Sequence, residues 1–168
     1  MCGVTPVTES LTADELKQAK LAGSGESIPE LGDLLKLGGS APLLLELKKG
    51  PGPIDQLCAA VAEAIAGRGG PVGVMSFDAD VGRWFAANAP AFPRGLVMDR
   101  PAAATRTEML RTGDPEFIAV SVRTVAEDWV AELRDRLRVG CWTVRTAAER
   151  WQVAVHADAL IWEGDGRP

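Results

Sequence analysis

The residues best placed for chemistry are Glu46 and Lys48. They end an apolar run, Ala41-Pro-Leu-Leu-Leu-Glu-Leu-Lys48, in which Pro42 stops any helix and Leu43 to Leu45 read as buried strand. Side chains alternate across a strand, so Glu46 and Lys48 point one way and Leu47 the other. Gly50-Pro-Gly-Pro53 then closes the strand. Parallel α/β proteins hold their reacting groups at the C-terminal ends of such strands. An edge strand with a solvated, charged tip would show the same pattern.

Other chemistry is scarce. His156 is the single histidine, and there is no tyrosine. The three cysteines, Cys2, Cys58 and Cys141, lack metal-ligand spacing. An odd, widely separated set fits reduced thiols and a cytoplasmic protein, with Cys58 and Cys141 in the core. The net charge of −5 argues against non-specific binding to nucleic acid or anionic membrane. No apolar run approaches the ~20 residues of a membrane span. The start, Met1-Cys-Gly-Val-Thr5, has no basic region followed by an apolar one, so no secretory signal is expected.

The elements that must position Glu46 and Lys48 follow from the rest of the pattern. At 168 residues one domain, 1–168, is the default, and 46% hydrophobic with 24% charged residues is ordinary for a globular chain. Thr12 with Glu15 forms a capping box for a first helix, and a second begins near Pro29 with Leu31, Leu34 and Leu35 inward. Ile54, Leu57, Cys58, Val61 and Ile65 mark a helix, followed by a strand over 71–77 and a helix from Asp78 to Asn88. Strands over 95–98, 117–122, 139–144 and 157–162 come next. Residues 99–115, rich in Ala, Thr, Arg and Pro, read as a loop with at most one or two helical turns. Thr124 with Glu127 is read as the cap of a helix whose inner stripe is Val125, Trp129, Leu133 and Leu137. Thr146 with Glu149 caps the next, through Trp151 and Val155. Six apolar strands with helices between most of them predict an α/β protein with a parallel sheet. An open doubly wound sheet and part of a (β/α)8 barrel both fit, and whole barrels typically need ~250 residues. No phosphate-binding loop of either usual kind is present.

Taken in order, the motifs resemble the C-terminal two-thirds of a glycerophosphodiester phosphodiesterase. The pieces are Ile28-Pro-Glu-Leu31, Leu43-Leu-Leu-Glu46-Leu-Lys48, Val74-Met-Ser-Phe-Asp78, Pro93-Arg-Gly-Leu96, Ala119-Val-Ser-Val122, Trp142-Thr-Val144 and Ala157-Asp-Ala-Leu-Ile161. The opening, Gly3 to Lys17, resembles the family's segment after its second catalytic histidine. The resemblance implies a partial (β/α)8 TIM barrel with about six parallel strands, and hydrolysis of a small glycerophosphodiester to glycerol phosphate and an alcohol. It implies a divalent cation, Mg2+ or Ca2+, with Glu46 as a metal ligand, Lys48 against the substrate phosphate and Trp142 lining the pocket. Arg145 stands where many members have asparagine. The physical logic agrees: a hard cation takes carboxylate oxygens, and a lysine meets phosphate as a point charge.

The resemblance also implies a His-Arg-Gly strand, a Glu-x-Asp metal pair and a His-Asp strand end. Residues 1–42 match none of them. No catalytic residue is therefore assigned in this chain, which reads as an N-terminally truncated barrel, and the cation is not expected to be retained. The chain alone is expected to be inactive; the alternative is a pseudoenzyme or interaction subunit. His156 reads as structural or surface. Trp84, Trp129 and Trp151 read as helix-to-barrel packing. Asp78, Glu163 and Asp165 read as solvated loop acids, and Arg134-Asp-Arg-Leu-Arg138 as a solvated helix end. A partial barrel leaves two open strand edges, so self-association is expected.

Overall fold

A computed structural model describes residues 10–21 and 23–167. The chain forms two compact units, one of residues up to Leu43 with Lys49–Pro71, the other of Leu44–Lys48 with Val72 onward. Gly3 to Glu9, part of the opening resemblance, lie outside the described residues, as does Cys2.

The first unit holds α1 (Ala13–Gln18), α2 (Leu31–Leu37) and α3 (Ile54–Ile65). The Thr12–Glu15 capping box forms as the sequence predicts. Helix α3 buries Cys58, Val61 and Ile65, the i, i+3, i+7 face of its apolar stripe. In α2, Leu34 is exposed rather than inward. Arg68 donates to the carbonyl of Ala41 at 2.5 Å and ties the end of α3 to the segment before the first strand.

The second unit carries the sheet. Its strands are β1 (Leu43–Glu46, whose first residue belongs to the other unit), β2 (Val72–Ser76), β3 (Arg94–Met98), β4 (Phe117–Ser121), β5 (Arg138–Val144) and β6 (Ala159–Trp162). They lie in sequence order and run parallel. Between them lie α4 (Ala79–Asn88), α5 (Ala103–Gly113), α6 (Asp128–Arg134) and α7 (Ala147–Val153). This is the six-strand parallel α/β half-barrel predicted, not a flat doubly wound sheet.

Strand alternation sorts the side chains into two layers. Leu96, Met98, Ile118, Val120, Val139 and Cys141 face outward and pack with Val130, Leu133 and Val153 of the helices. Met75, Val97 and Ala119 face inward, with Phe117, Trp142 and Ile161 against them. Two observations fix the curl. Leu44 of β1 and Ile161 of β6 line one cavity of about 370 Å3. The rings of Phe77, just past β2, and Trp142, on β5, meet edge-to-face at 5.6 Å. In a flat sheet those strands would be three spacings, about 14 Å, apart.

Four local readings need correction. Residues 103–113 form the full helix α5, not a loop. Its apolar content is low, but Glu108 and Arg111 pair along it at 2.5 Å, an i, i+3 contact that supports a polar helix. Helix α6 starts at Asp128, later than read, because the Thr124 hydroxyl donates to Ser121 instead of capping. Asp78 is not a solvated loop acid; it caps α4 by accepting from the Asp80 N–H at 3.0 Å. Trp151 does not pack inward but is exposed. Trp84 and Trp129 are half-buried: Trp84 stacks edge-on against Phe85, and Trp129 packs on the outward layer beneath Arg106.

Helices α4 and α5 approach so closely that a Cβ on Gly82 would overlap the carbonyl oxygen of Gly113. Backbone on both sides leaves little room to adjust. Gly82→Ala is expected to destabilise the protein by about 1–3 kcal/mol, read as a lower midpoint in urea with an unchanged slope.

Candidate site at the strand ends

The sequence of β1 decides which way Glu46 points. Leu44 faces the inner cavity. Glu46 and Lys48, two and four residues on, share its face, while Leu47 turns the other way and is buried. The Glu46 side chain is 30% exposed and the Lys48 side chain 80%, with Nζ and Oε1 3.9 Å apart. A pair this open contributes little to stability. Its value is positional: a carboxylate and an ammonium held together at the C-terminal end of a strand, where barrel chemistry sits.

A buried serine fixes that strand end. The Ser76 hydroxyl donates to the carbonyl of Leu47, between Glu46 and Lys48, at 2.6 Å. The Ser76 hydroxyl oxygen also accepts the Asp78 N–H at 3.0 Å. The Leu47 N–H in turn donates to Met75 at 2.8 Å. Ser121 repeats part of this at the end of β4, accepting the Arg123 N–H at 3.2 Å. Sequence reasoning did not single out Ser76. Its only signal is a lone hydroxyl in the apolar run of β2, where an unpaired polar group would be costly.

Trp142 stands on the inner face of β5. Its indole N–H donates to the carbonyl of Ala119 at 3.1 Å. Past it the register slips between Cys141 and Val144, and the Trp142–Thr143 peptide is cis. Its ring meets Phe77, a second half of this wall that sequence reasoning passed over. Phe77 remains exposed, so the aromatic pair is open to a ligand. Arg145, just after β5, pairs with Glu163, just after β6, at 2.5 Å. Glu163 is thus exposed but partnered.

The remaining reactive groups lie elsewhere. His156 sits in the turn before β6, at the opposite end of the sheet from Glu46. Cys141 is buried in the outward layer, and burial, with the Glu149 charge second, pushes its thiol up to about 11. It is not a nucleophile near neutral pH. Nor do the described residues fit a cation site by themselves. Glu46 brings one carboxylate, the nearby Asp78 carboxylate caps α4, and no three His, Cys, Asp or Glu side chains come together as a metal-binding group among the described residues. No helix among them is long and apolar enough to cross a membrane.

Removing the Ser76 hydroxyl leaves the Leu47 carbonyl without its buried partner. Ser76→Ala is expected to cost about 1–3 kcal/mol and to loosen the end of β1. Hydrogen exchange should show faster amide exchange at Leu47 with little change in the outward layer.

The comparisons with known proteins concern the fold. No protein-family model matches the chain, and no curated protein matches it in sequence. Solved structures do. A Silicibacter pomeroyi protein assigned as a glycerophosphoryl diester phosphodiesterase superposes with a TM-score of 0.71 at 24% identity, over 84% of this chain and 55% of that one. An Oleispira antarctica phosphodiesterase, solved with the product sn-glycerol-3-phosphate, gives 0.70 at 21%, over 82% and 58%. A glycerophosphodiester phosphodiesterase from Parabacteroides distasonis gives 0.69 at 18%, over 90% and 66%. The chain thus spans little more than half the length of the first two. Over those six strands it has the fold of the glycerophosphodiester phosphodiesterases.

Proposed function

We propose that the chain belongs to the glycerophosphodiester phosphodiesterases and carries the phosphate-facing part of that family's site. Glu46 occupies the metal-ligand position, Lys48 turns to the substrate phosphate, and Trp142 forms the pocket wall. The substrate class is a small glycerophosphodiester, hydrolysed to glycerol phosphate and an alcohol. The carrying observation is Glu46 beside Lys48 on the inner face of β1, in a fold shared with a phosphodiesterase that holds sn-glycerol-3-phosphate. Lys48 is well suited: a compact charge on a flexible stem can follow a phosphate. A cytoplasmic location fits the buried thiols of Cys58 and Cys141.

The proposal has a second half: this chain alone does not turn over substrate. Proton transfer near neutral pH falls most often to histidine, and each such group typically contributes about 10²–10⁴-fold. The one histidine, His156, lies at the far end of the sheet. A single carboxylate gives Mg2+ or Ca2+ little to hold. His156's position also favours a second reading, in which the chain is a non-catalytic subunit that keeps the binding face. Open sheet edges at β1 and β6 would let either form self-associate.

The test is an assay of the purified chain with glycerophosphocholine and excess Mg2+ or Ca2+, with coupled detection of glycerol phosphate. The expected result is no turnover above background. Turnover that survives repurification and disappears in Glu46→Ala would overturn the second half of the proposal. It would also establish Glu46 in the reaction.

A further inference from the structure

The cavity that Leu44 and Ile161 share takes no part in the strand-end site. It lies on the inner face toward the strand starts and holds about 370 Å3. That is within the range of small-molecule pockets, about 300–1,000 Å3. Its walls are apolar: Leu44, Phe117, Ala119, Ala159 and Ile161 supply them. Leu44 is left 46% exposed there. Walls of this kind gain when an apolar group displaces the water against them.

Three charged residues border the cavity: Glu116, Arg138 and Asp158. Both carboxylates are already engaged. Glu116 accepts from the Arg94 guanidinium, which also donates to Asp114 at 2.7 Å. Asp158 accepts from the Val139 N–H at 2.8 Å and from Arg134 at 3.2 Å. Arg138 is different. It has inner-face parity on β5, paired with Phe117 and two residues before Gly140. Its guanidinium stands 3.8 Å from Asp158, beyond hydrogen-bond reach, and the side chain is 84% exposed. Arg94, Arg134 and Arg138 thus balance Asp114, Glu116 and Asp158 in charge. The surplus is one of donors: only the Arg138 guanidinium makes no hydrogen bond within this set.

Those features narrow the ligand. Apolar walls take a hydrocarbon chain, and each methylene buried there adds to affinity. Unused donors at the border take an acceptor. A guanidinium offers parallel N–H groups that match the two oxygens of a carboxylate. A cationic head would meet Arg138 and find both carboxylates taken. A head without charge would lose the charge-assisted bond.

We propose that the inner cavity binds a linear aliphatic carboxylate, with its chain against Leu44, Phe117 and Ile161 and its head on Arg138. The ligand lies toward the strand starts, so Glu46 and Lys48, at the other end of the sheet, stay open. The inference does not depend on the chain being a phosphodiesterase.

The experiment is isothermal titration of the full chain with decanoate below its micelle concentration, with octanoate and decyltrimethylammonium as comparisons. Decanoate is expected to saturate at one per chain. Octanoate, two methylenes shorter, should bind about tenfold more weakly. Arg138→Gln should weaken decanoate by about tenfold, from loss of the charge-assisted bond. Decyltrimethylammonium should bind the parent more weakly than decanoate by at least as much. Ala159→Phe, which puts a ring into the cavity, should abolish binding. Both positions are exposed, so unchanged melting temperatures will show that these variants are folded. Should Ala159→Phe melt lower, Gly140→Val tests the same point, because a Cβ at Gly140 stands 3.7 Å from its nearest neighbour. The proposal is overturned if decanoate does not saturate. It is also overturned if Arg138→Gln binds decanoate as well as the parent does, or if the cavity-filling variant does. A dimer that the filling variant disrupts, without decanoate binding, would assign the cavity to a second copy of the chain and likewise overturn it.

Discussion

The curl of the sheet is the constraint on which the rest depends. It gives the two faces different amounts of room. Outside, the strands diverge and helices fit, so Leu96, Met98, Ile118, Val120 and Val139 fill a deep layer beneath them. Inside, the strands converge and no helix could enter. Small residues line that face, with Gly73, Gly95, Ala119, Gly140 and Ala159 one on each strand from β2 to β6. At Gly95 the reason is direct: the Phe117 ring occupies the place a Cβ would take. The large inner rings sit at both ends of the strands, Phe117 at the start of β4 and Phe77 with Trp142 at the strand ends.

The same curl gathers the candidate site. Leu44 on β1 and Ile161 on β6 share a cavity only because the sheet bends. Glu46 and Lys48 continue the face of Leu44 toward the strand ends. Ser76 then couples β1 to β2 through one hydroxyl, and Phe77, the next residue, carries the aromatic wall to Trp142. Position along the strands thus separates functions. The strand ends hold charge and aromatic rings, while the strand starts hold clamps such as Arg94 with Asp114 and Glu116. Asp158 belongs to the second group: the Val139 N–H, with the Arg134 guanidinium adding to it, holds its carboxyl below the usual carboxylate range.

Much of this was legible in the residues themselves. Apolar runs bounded by Gly and Pro place all six strands, and two capping boxes, at Thr12 and Thr146, form as read. The facing of Glu46 and Lys48 follows from alternation alone. What was not legible depends on partners distant in sequence or on polar contacts without a pattern. Helix α5 has too few apolar residues to show a period and owes its order partly to charge pairing. Thr124 carries the same capping signature as Thr146, yet Ser121 takes its hydroxyl. Trp151 sits at helical spacing from Val155, but the buried residue of α7 is Val153, two positions on, so Trp151 faces away from the core. Ser76 and Phe77 acquire meaning only once β1 and β5 are known to lie near them.

The most direct test of the account is the contact between Phe77 and Trp142. A nuclear Overhauser spectrum of the chain, with the Trp142 indole resonances assigned through Trp142→Phe, reads it in solution. The account predicts cross-peaks between the Phe77 ring protons and the Trp142 ring, with an indole N–H protected by its bond to Ala119. Their absence in a folded sample, with strand order intact, would mean that β2 and β5 lie about 14 Å apart as in a flat sheet. That result would contradict the half-barrel and the site built on it.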